Sequence, residues 1–219
     1  MVEAMHYVLR TGVPWRDLPE RFGKWSSVYS RWRRWILCGL WERIFSVLTL
    51  GARGTTRFID STYIKLHQDG TNPAGGQQAQ CIGLTKGGLN TKLTALGDSF
   101  GRAISLSLLP GQCSEIEAVQ PHLYRLRGRT LVGDKGFDAD SVRERVCRLG
   151  GGTCIPRRKN CTGHRPFRRR LYHRRHRIEN FFCRIKRHRR LSTRYEKLAV
   201  TFSAFVQLAA ILDWLKNRF

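Results

Sequence analysis

Three carboxylates stand where their neighbours demand an explanation. Asp60 interrupts an apolar run, Phe58, Ile59, Tyr63 and Ile64, that otherwise reads as a strand. A carboxylate facing a sheet is costly unless it meets a cation. Asp134 closes a second apolar run, and Gly133 and Gly136 leave the backbone beside it free to turn; ligands of open sheets gather at such strand ends. Glu179 sits in a field of arginine. Each has a simpler reading alone: Asp60 as an edge-strand residue, Asp134 as a turn or cap former, Glu179 as an intrahelical partner for Arg175 or Arg177. Jointly, three carboxylates can hold two Mg²⁺ ions about 4 Å apart, with Mn²⁺ as a substitute, to activate the attacking oxygen and stabilise the leaving oxygen of a phosphodiester.

The cations around Glu179 suit the same substrate. Residues 154–197 carry 17 basic and 2 acidic side chains, so most of the net charge of +24 lies in one fifth of the chain. From Tyr172 onward there is neither Pro nor Gly for many residues, which predicts a helix. At about 100° per residue, Tyr172, Arg175, Glu179 and Lys186 fall within roughly 60° of one another and share a face. Ile178, Phe181, Phe182 and Ile185 form the apolar stripe that would seat this helix on a core. Arg174, Arg177 and Arg187 extend the basic surface. Such a field holds nucleic-acid phosphates, with binding that weakens steeply as salt rises.

With 219 residues and 41% hydrophobic content, the chain can bury a sizeable core. The seven cysteines form no Cys-x-x-Cys pair, which suits a reduced, cytosolic protein. Cys154, Cys161 and His164 lack the paired spacing of a zinc site. No basic start followed by an apolar run marks a signal peptide. The apolar stretch at residues 198–215 contains Thr201, Ser203, Gln207 and Asp213, and reads as a helix buried in the core rather than a membrane span.

The elements that must position these groups follow from pattern. Residues 1–54 read as a small helical region: an opening helix ending near Leu9, a break at Gly12, Pro14 and Pro19, a helix capped by Ser26 or Ser27, and another after Gly39. Trp32, Trp35 and Trp41 suggest a small core rimmed by Arg31, Arg33 and Arg34. A helix-turn-helix-like DNA contact and a purely structural cap both fit. Residues 55–219 read as strands at 57–66, 90–97 and 103–109 in an antiparallel meander, and a glycine-rich loop at 70–88. A helix at 115–127, a strand at 130–134, a helix at 138–149, a strand at 153–156, a basic loop at 157–166, and the basic and apolar helices follow. That order matches an α/β, ribonuclease H-like mixed sheet flanked by helices.

On these residues the chain resembles bacterial insertion-sequence transposases of the DDE type, in the group with a Tyr-x2-Arg-x3-Glu-x6-Lys signature. Tyr172, Arg175, Glu179 and Lys186 match its four positions and three spacings, while Asp60 in Phe-Ile-Asp-Ser-Thr and Asp134 in Val-Gly-Asp-Lys-Gly-Phe-Asp match the first two acidic residues. Residues 9–25 are similar to the family's N-terminal helical region. The resemblance implies that Asp60, Asp134 and Glu179 bind Mg²⁺, and that Tyr172, Arg175 and Lys186 contact the transposon end. Water then nicks double-stranded DNA and the freed 3′-hydroxyl attacks target DNA, with no covalent protein intermediate. It also implies a homodimer on DNA, no membrane partner, and a cytoplasmic, nucleoid-associated bacterial location. Relatives carry further residues before the segment that begins here at Met1, so an N-terminally truncated copy is an expectation. The alternatives are an inactive remnant that binds DNA, a ribonuclease H-type nuclease acting on RNA:DNA hybrids, and a basic packaging protein.

Overall fold

The computed structural model describes residues 1–158 and 167–216. Among the described residues, β1 (Thr56–Leu66), β2 (Gly83–Thr85), β3 (Gly88–Gly97), β4 (Ala103–Pro110), β5 (Thr130–Val132), β6 (Gly152–Cys154) and β7 (Thr193–Arg194) form one mixed sheet. The longest strand, β1, lies inside it, antiparallel to β3 on one side and parallel to β5 on the other. β3 pairs onward with β4, and β5 with β6. The expected antiparallel meander and the parallel additions to it are therefore both present. β2 and β7 were not expected; each is two or three residues long and exists only because Gly88–Asn90 or Lys65–Leu66 offers an edge to pair with.

Helices α1 (Val2–Thr11), α2 (Trp25–Leu37) and α3 (Leu40–Thr49) precede the sheet; α4 (Glu115–Val119) and α5 (Asp140–Arg148) alternate with its later strands. Then come α6 (Arg169–His173), α7 (His176–Ile185), α8 (Arg189–Ser192) and α9 (Ala199–Lys216). Adjacent residues of a strand face opposite sides, and β1 uses this directly. Asp60 and Thr62 face α7, and Ser61 faces α4.

Three local expectations give way to tertiary demands. Trp25, not Ser26 or Ser27, opens α2, and no side chain caps it; burial of Val28 and Trp32 sets where this helix lies. The helix expected over 115–127 is α-helical only to Val119 and continues as a 3-10 turn to Arg125, because Pro121 has no amide to donate. The long basic helix is broken: Arg175 N bonds to Tyr172 O and Ile178 N to Arg175 O, a three-residue spacing that separates α6 from α7. His173 through Arg177 crowds like charge onto successive turns, and no apolar side chain lies between Tyr172 and Ile178 to hold the face.

α9 is long and apolar enough to cross a membrane by length and composition alone, yet ten of its residues are buried inside the protein. It is the floor shared by the N-terminal helices and the sheet. Trp32 lies 4.5 Å from the Phe205 ring and 5.4 Å from Trp41, and Trp15 also stacks on Phe205. The tryptophans of α2 and α3 thus belong to a core continuous with that of the sheet, while Arg31, Arg33 and Arg34 are exposed.

Behind β4, fully buried His122 is held by Ser105 Oγ at 2.8 Å and Ser107 Oγ at 3.1 Å. Burial pushes its pKa down to about 4, so the folded protein keeps it neutral while the unfolded chain protonates near pH 6.5. The stability this gives is complete above that value and is lost as pH falls from there toward 4. At pH 5 the loss is about 2 kcal/mol. Urea melts of wild type and His122→Asn at pH 7 and pH 5 should therefore differ in slope with pH, the wild type losing more.

Candidate active site

Register brings the first two carboxylates together. Phe58 of β1 pairs with Val132 of β5 in parallel, so Asp60 and Asp134, each two residues further on, emerge at the same end of neighbouring strands. Asp60 lies opposite Ala95 of β3. Asp134 has left the strand and opens a 3-10 turn, where its Oδ1 accepts the Gly136 amide at 2.8 Å. The turn-former reading of Asp134 is thus correct as local structure and compatible with a site.

Glu179 arrives from α7. Ile178, Phe181, Phe182 and Ile185 are all buried, as the apolar stripe requires, and turn the opposite flank of α7 toward Asp60. Arg175 lies between the two acids: its Nη1 is 3.3 Å from Asp60 Oδ1 and its Nη2 donates to Glu179 Oε1. Despite the break in the helix, Arg175 and Lys186 still reach β1, and Glu179 is held beside it through Arg175. Lys186 Nζ donates to Thr62 Oγ1 at 2.5 Å and to Tyr63 O at 3.1 Å. Burial there pushes the Lys186 pKa down. The Tyr172 ring packs 5.2 Å from Phe167 with the Arg175 guanidinium over it.

The electrostatics couple the other two acids to Asp60. Burial pushes the Asp60 carboxyl up to about 6, Arg175 opposes the rise, and the charges of Asp134 and Glu179 add to it. All three donors are carboxylate oxygens, the chemistry that a hard divalent cation prefers, and their mutual repulsion calls for positive charge. Arg175 supplies that charge here, and among the described residues no three His, Cys, Asp or Glu side chains are gathered closely enough to hold an ion as they stand. The donor set fits a divalent cation once the guanidinium is displaced from between Asp60 and Glu179.

The remaining basic residues disperse. Arg174 is exposed in a cleft with Arg168, Arg170 and Thr130. Arg177 turns away from the acids and donates to Ser99 O in the β3–β4 turn. Gly101 (φ +80°) makes that approach possible, since a Cβ there would sit 2.6 Å from the Arg177 backbone oxygen. Arg187 is exposed just past the end of α7, beside α1. Cys161 and His164 lie outside the described residues.

Sequence reasoning missed the support beneath the site. Glu115, at the start of α4, accepts Ser61 Oγ at 2.6 Å and the buried Lys92 Nζ at 3.0 Å. It also lies against the Asp134 loop: a Cβ on Gly136 would come within 3.0 Å of Glu115 Cγ. The Ser-x-x-Glu capping box at Ser114 and Glu117 marks this helix start in the sequence, but nothing local says that its first residue reaches β1.

Comparison with known proteins gives matches over most of the chain. Residues 51–214 match the family model described as "Transposase DDE domain", and residues 1–45 match "Putative transposase of IS4/5 family". The chain is 32% identical over 130 residues, 58% of its length and all of the relative's, to "Putative transposase for insertion sequence element IS6501" of Brucella ovis. It is 37% identical over 79 residues, 36% of its length and 61% of the relative's, to the uncharacterized protein y4sN of Sinorhizobium fredii. To the insertion element IS402 16.2 kDa protein of Burkholderia cepacia it is 34% identical over 67 residues, 27% of its length and 46% of the relative's.

Proposed function

Because the chain belongs to the DDE-domain transposases, enzymes that act on DNA with divalent metal ions, we propose that Asp60, Asp134 and Glu179 are its metal-holding triad and that Mg²⁺, as two ions, is the cofactor. The observation that carries this is the convergence of three carboxylates at one end of β1 and β5 with a bridging arginine between two of them. Bound there, the ions neutralise the acids and lower the barrier to phosphodiester exchange at the attacking and leaving oxygens.

The chain's own residues do the rest. Lys186 fixes α7 to β1 and keeps Glu179 beside Asp60. Glu115 and Lys92 hold the Asp134 loop from the other face of the sheet. Tyr172, Arg174, Arg175 and Arg187 are the residues that meet the transposon end and the target duplex, with Arg175 exchanging its carboxylate partners for a backbone phosphate as DNA enters. Arg177 contributes by fixing the β3–β4 turn. Residues 1–54 form the end-recognition region and residues 55–219 the catalytic domain, acting as a homodimer on DNA in the bacterial cytoplasm. In the first step a water oxygen joins phosphorus and the bond to the 3′ oxygen breaks, freeing a 3′-hydroxyl. In the second, that hydroxyl attacks a target phosphodiester and the target's own 3′ oxygen leaves.

Incubated with a duplex bearing the inverted repeats that flank its coding region, the protein should nick at the repeat boundary and join the end to a plasmid. Both activities should require Mg²⁺ or Mn²⁺ and stop on chelation. Binding without nicking under all these conditions, or cleavage of an RNA:DNA hybrid in preference to the duplex, would sink the proposal.

A further inference from the structure

We infer that a basic cavity between α1, the end of α7 and the end of α9 is a second DNA-backbone site, one that clamps the N-terminal helices to the catalytic domain through phosphate; the inference rests on the chain's action on DNA and not on the assignment of the triad. The cavity, about 350 Å³, is walled by His6 and Arg10 from α1, Arg187 and His188 beyond α7, and Lys216 from α9. Its floor is Asp213, already neutralised by Arg184, which donates to both carboxylate oxygens at 2.6 and 2.9 Å. Arg10, Arg187 and Lys216 are exposed and line the cavity.

Each of these cations has a modest local reason to be there, since each lies at or just past a helix C-terminus, where the backbone carries a partial negative charge of roughly one half. Among the described residues, three such ends together offset about half of the net three positive charges that remain after Asp213 pairs with Arg184. The excess converges on a single hollow, where cations repel one another unless an anion enters. The two histidines register the same field. Their rings meet edge to face at 5.7 Å, and among the described residues His188 Nδ1 is buried without a hydrogen-bond partner. Burial, followed by the charges of Lys216 and Arg10, pushes His6 down; burial, His6 and the same two charges push His188 down to about 4. A phosphodiester oxygen seated here would meet imidazole, guanidinium and ammonium donors from three separate helices. Arg187, eight residues beyond Glu179 and just past the end of α7, ties the hollow to the helix that carries Glu179.

The test is binding, measured in EDTA so that no cleavage intervenes. Fluorescence anisotropy of a labelled 30-base-pair duplex should give, for Arg10→Gln/Lys216→Gln, a slope of log affinity against log salt that is shallower by about 2, as loss of two phosphate contacts requires, and an affinity at 0.1 M salt that is lower by tenfold or more. Arg187→Gln provides an independent check at the same cavity. In the wild type, the ring resonances of His6 and His188 should shift and titrate at higher pH when the duplex is added, and should respond to inorganic phosphate only at far higher concentration. Unchanged salt slopes in both variants, with wild-type melting temperatures, would overturn the inference. So would histidine resonances that ignore the duplex, or that respond equally well to free phosphate. The catalytic proposal is tested separately by nicking, and either can fail alone.

Discussion

Asp60→Asn, Asp134→Asn or Glu179→Gln, made one at a time, should reduce metal-dependent nicking of a transposon-end duplex by about a thousandfold or more while leaving duplex affinity equal to or tighter than that of wild type. The size follows from what is removed. A bound ion supplies several kcal/mol of transition-state charge stabilisation, and each 1.4 kcal/mol is tenfold in rate. The affinity follows from sign: each substitution deletes a negative charge from a surface that must meet phosphate, and Asp60→Asn or Glu179→Gln also frees Arg175 from one of its two carboxylates. A packaging protein would show no such separation, because its acids would be bystanders. Steady-state nicking in Mg²⁺ and in Mn²⁺, alongside anisotropy in EDTA, decides the matter. Variants that keep a tenth or more of wild-type nicking would remove these residues from the triad.

Arg194→Ala carries the largest expected cost in stability. Arg194 is fully buried in β7, and its guanidinium donates to Glu196 O at 2.9 Å, Gln80 O at 2.9 Å, Thr91 Oγ1 at 2.6 Å and Lys197 O at 3.2 Å, while lying 5.1 Å from the Phe202 ring centre. It therefore ties the segment after α8 to β3, to the 3-10 turn before β2 and to α9 at once. Truncation leaves several buried acceptors without a donor and a hollow beside Phe202, about 3 kcal/mol or more by the usual cost of breaking a buried polar network. For a chain of this length that corresponds to a fall in melting temperature of about 6 to 12 °C. Arg194→Lys, which keeps the charge but loses the planar fork, should fall between the two. Thermal melts at one pH and salt concentration measure it, and a change below 2 °C would show that the network is dispensable.

Neither the partners of Arg194 nor the role of Glu115 is legible from neighbours in the chain, because the acceptors they meet are brought in by strand register and by α9. The break between α6 and α7 is a related case. Propensity and the absence of Gly and Pro predict one helix, but a helix is held by what its face buries, and residues 173–177 bury nothing apolar. The facing of Arg175, Glu179 and Lys186 survives the break because each finds a partner on or beside β1. Arg177, placed with them by sequence, is drawn instead to the Ser99 carbonyl by the close approach that Gly101 permits.

By itself the sequence determined the order of the principal strands and helices, the apolar stripe of α7, the burial of α9, and the candidacy of Asp60, Asp134 and Glu179. These are matters of residue type and period, and the hydrophobic effect reads them directly. Only the tertiary structure decided that Phe58 pairs with Val132, so that Asp60 and Asp134 emerge together, and that Arg175 bridges Asp60 to Glu179. It alone gathered Arg10, Arg187 and Lys216, from helices far apart in the chain, around one hollow. Charge acts through space rather than along the chain, so the acids and cations acquire their meaning only when the sheet register and the packing of α1, α7 and α9 fix their separations.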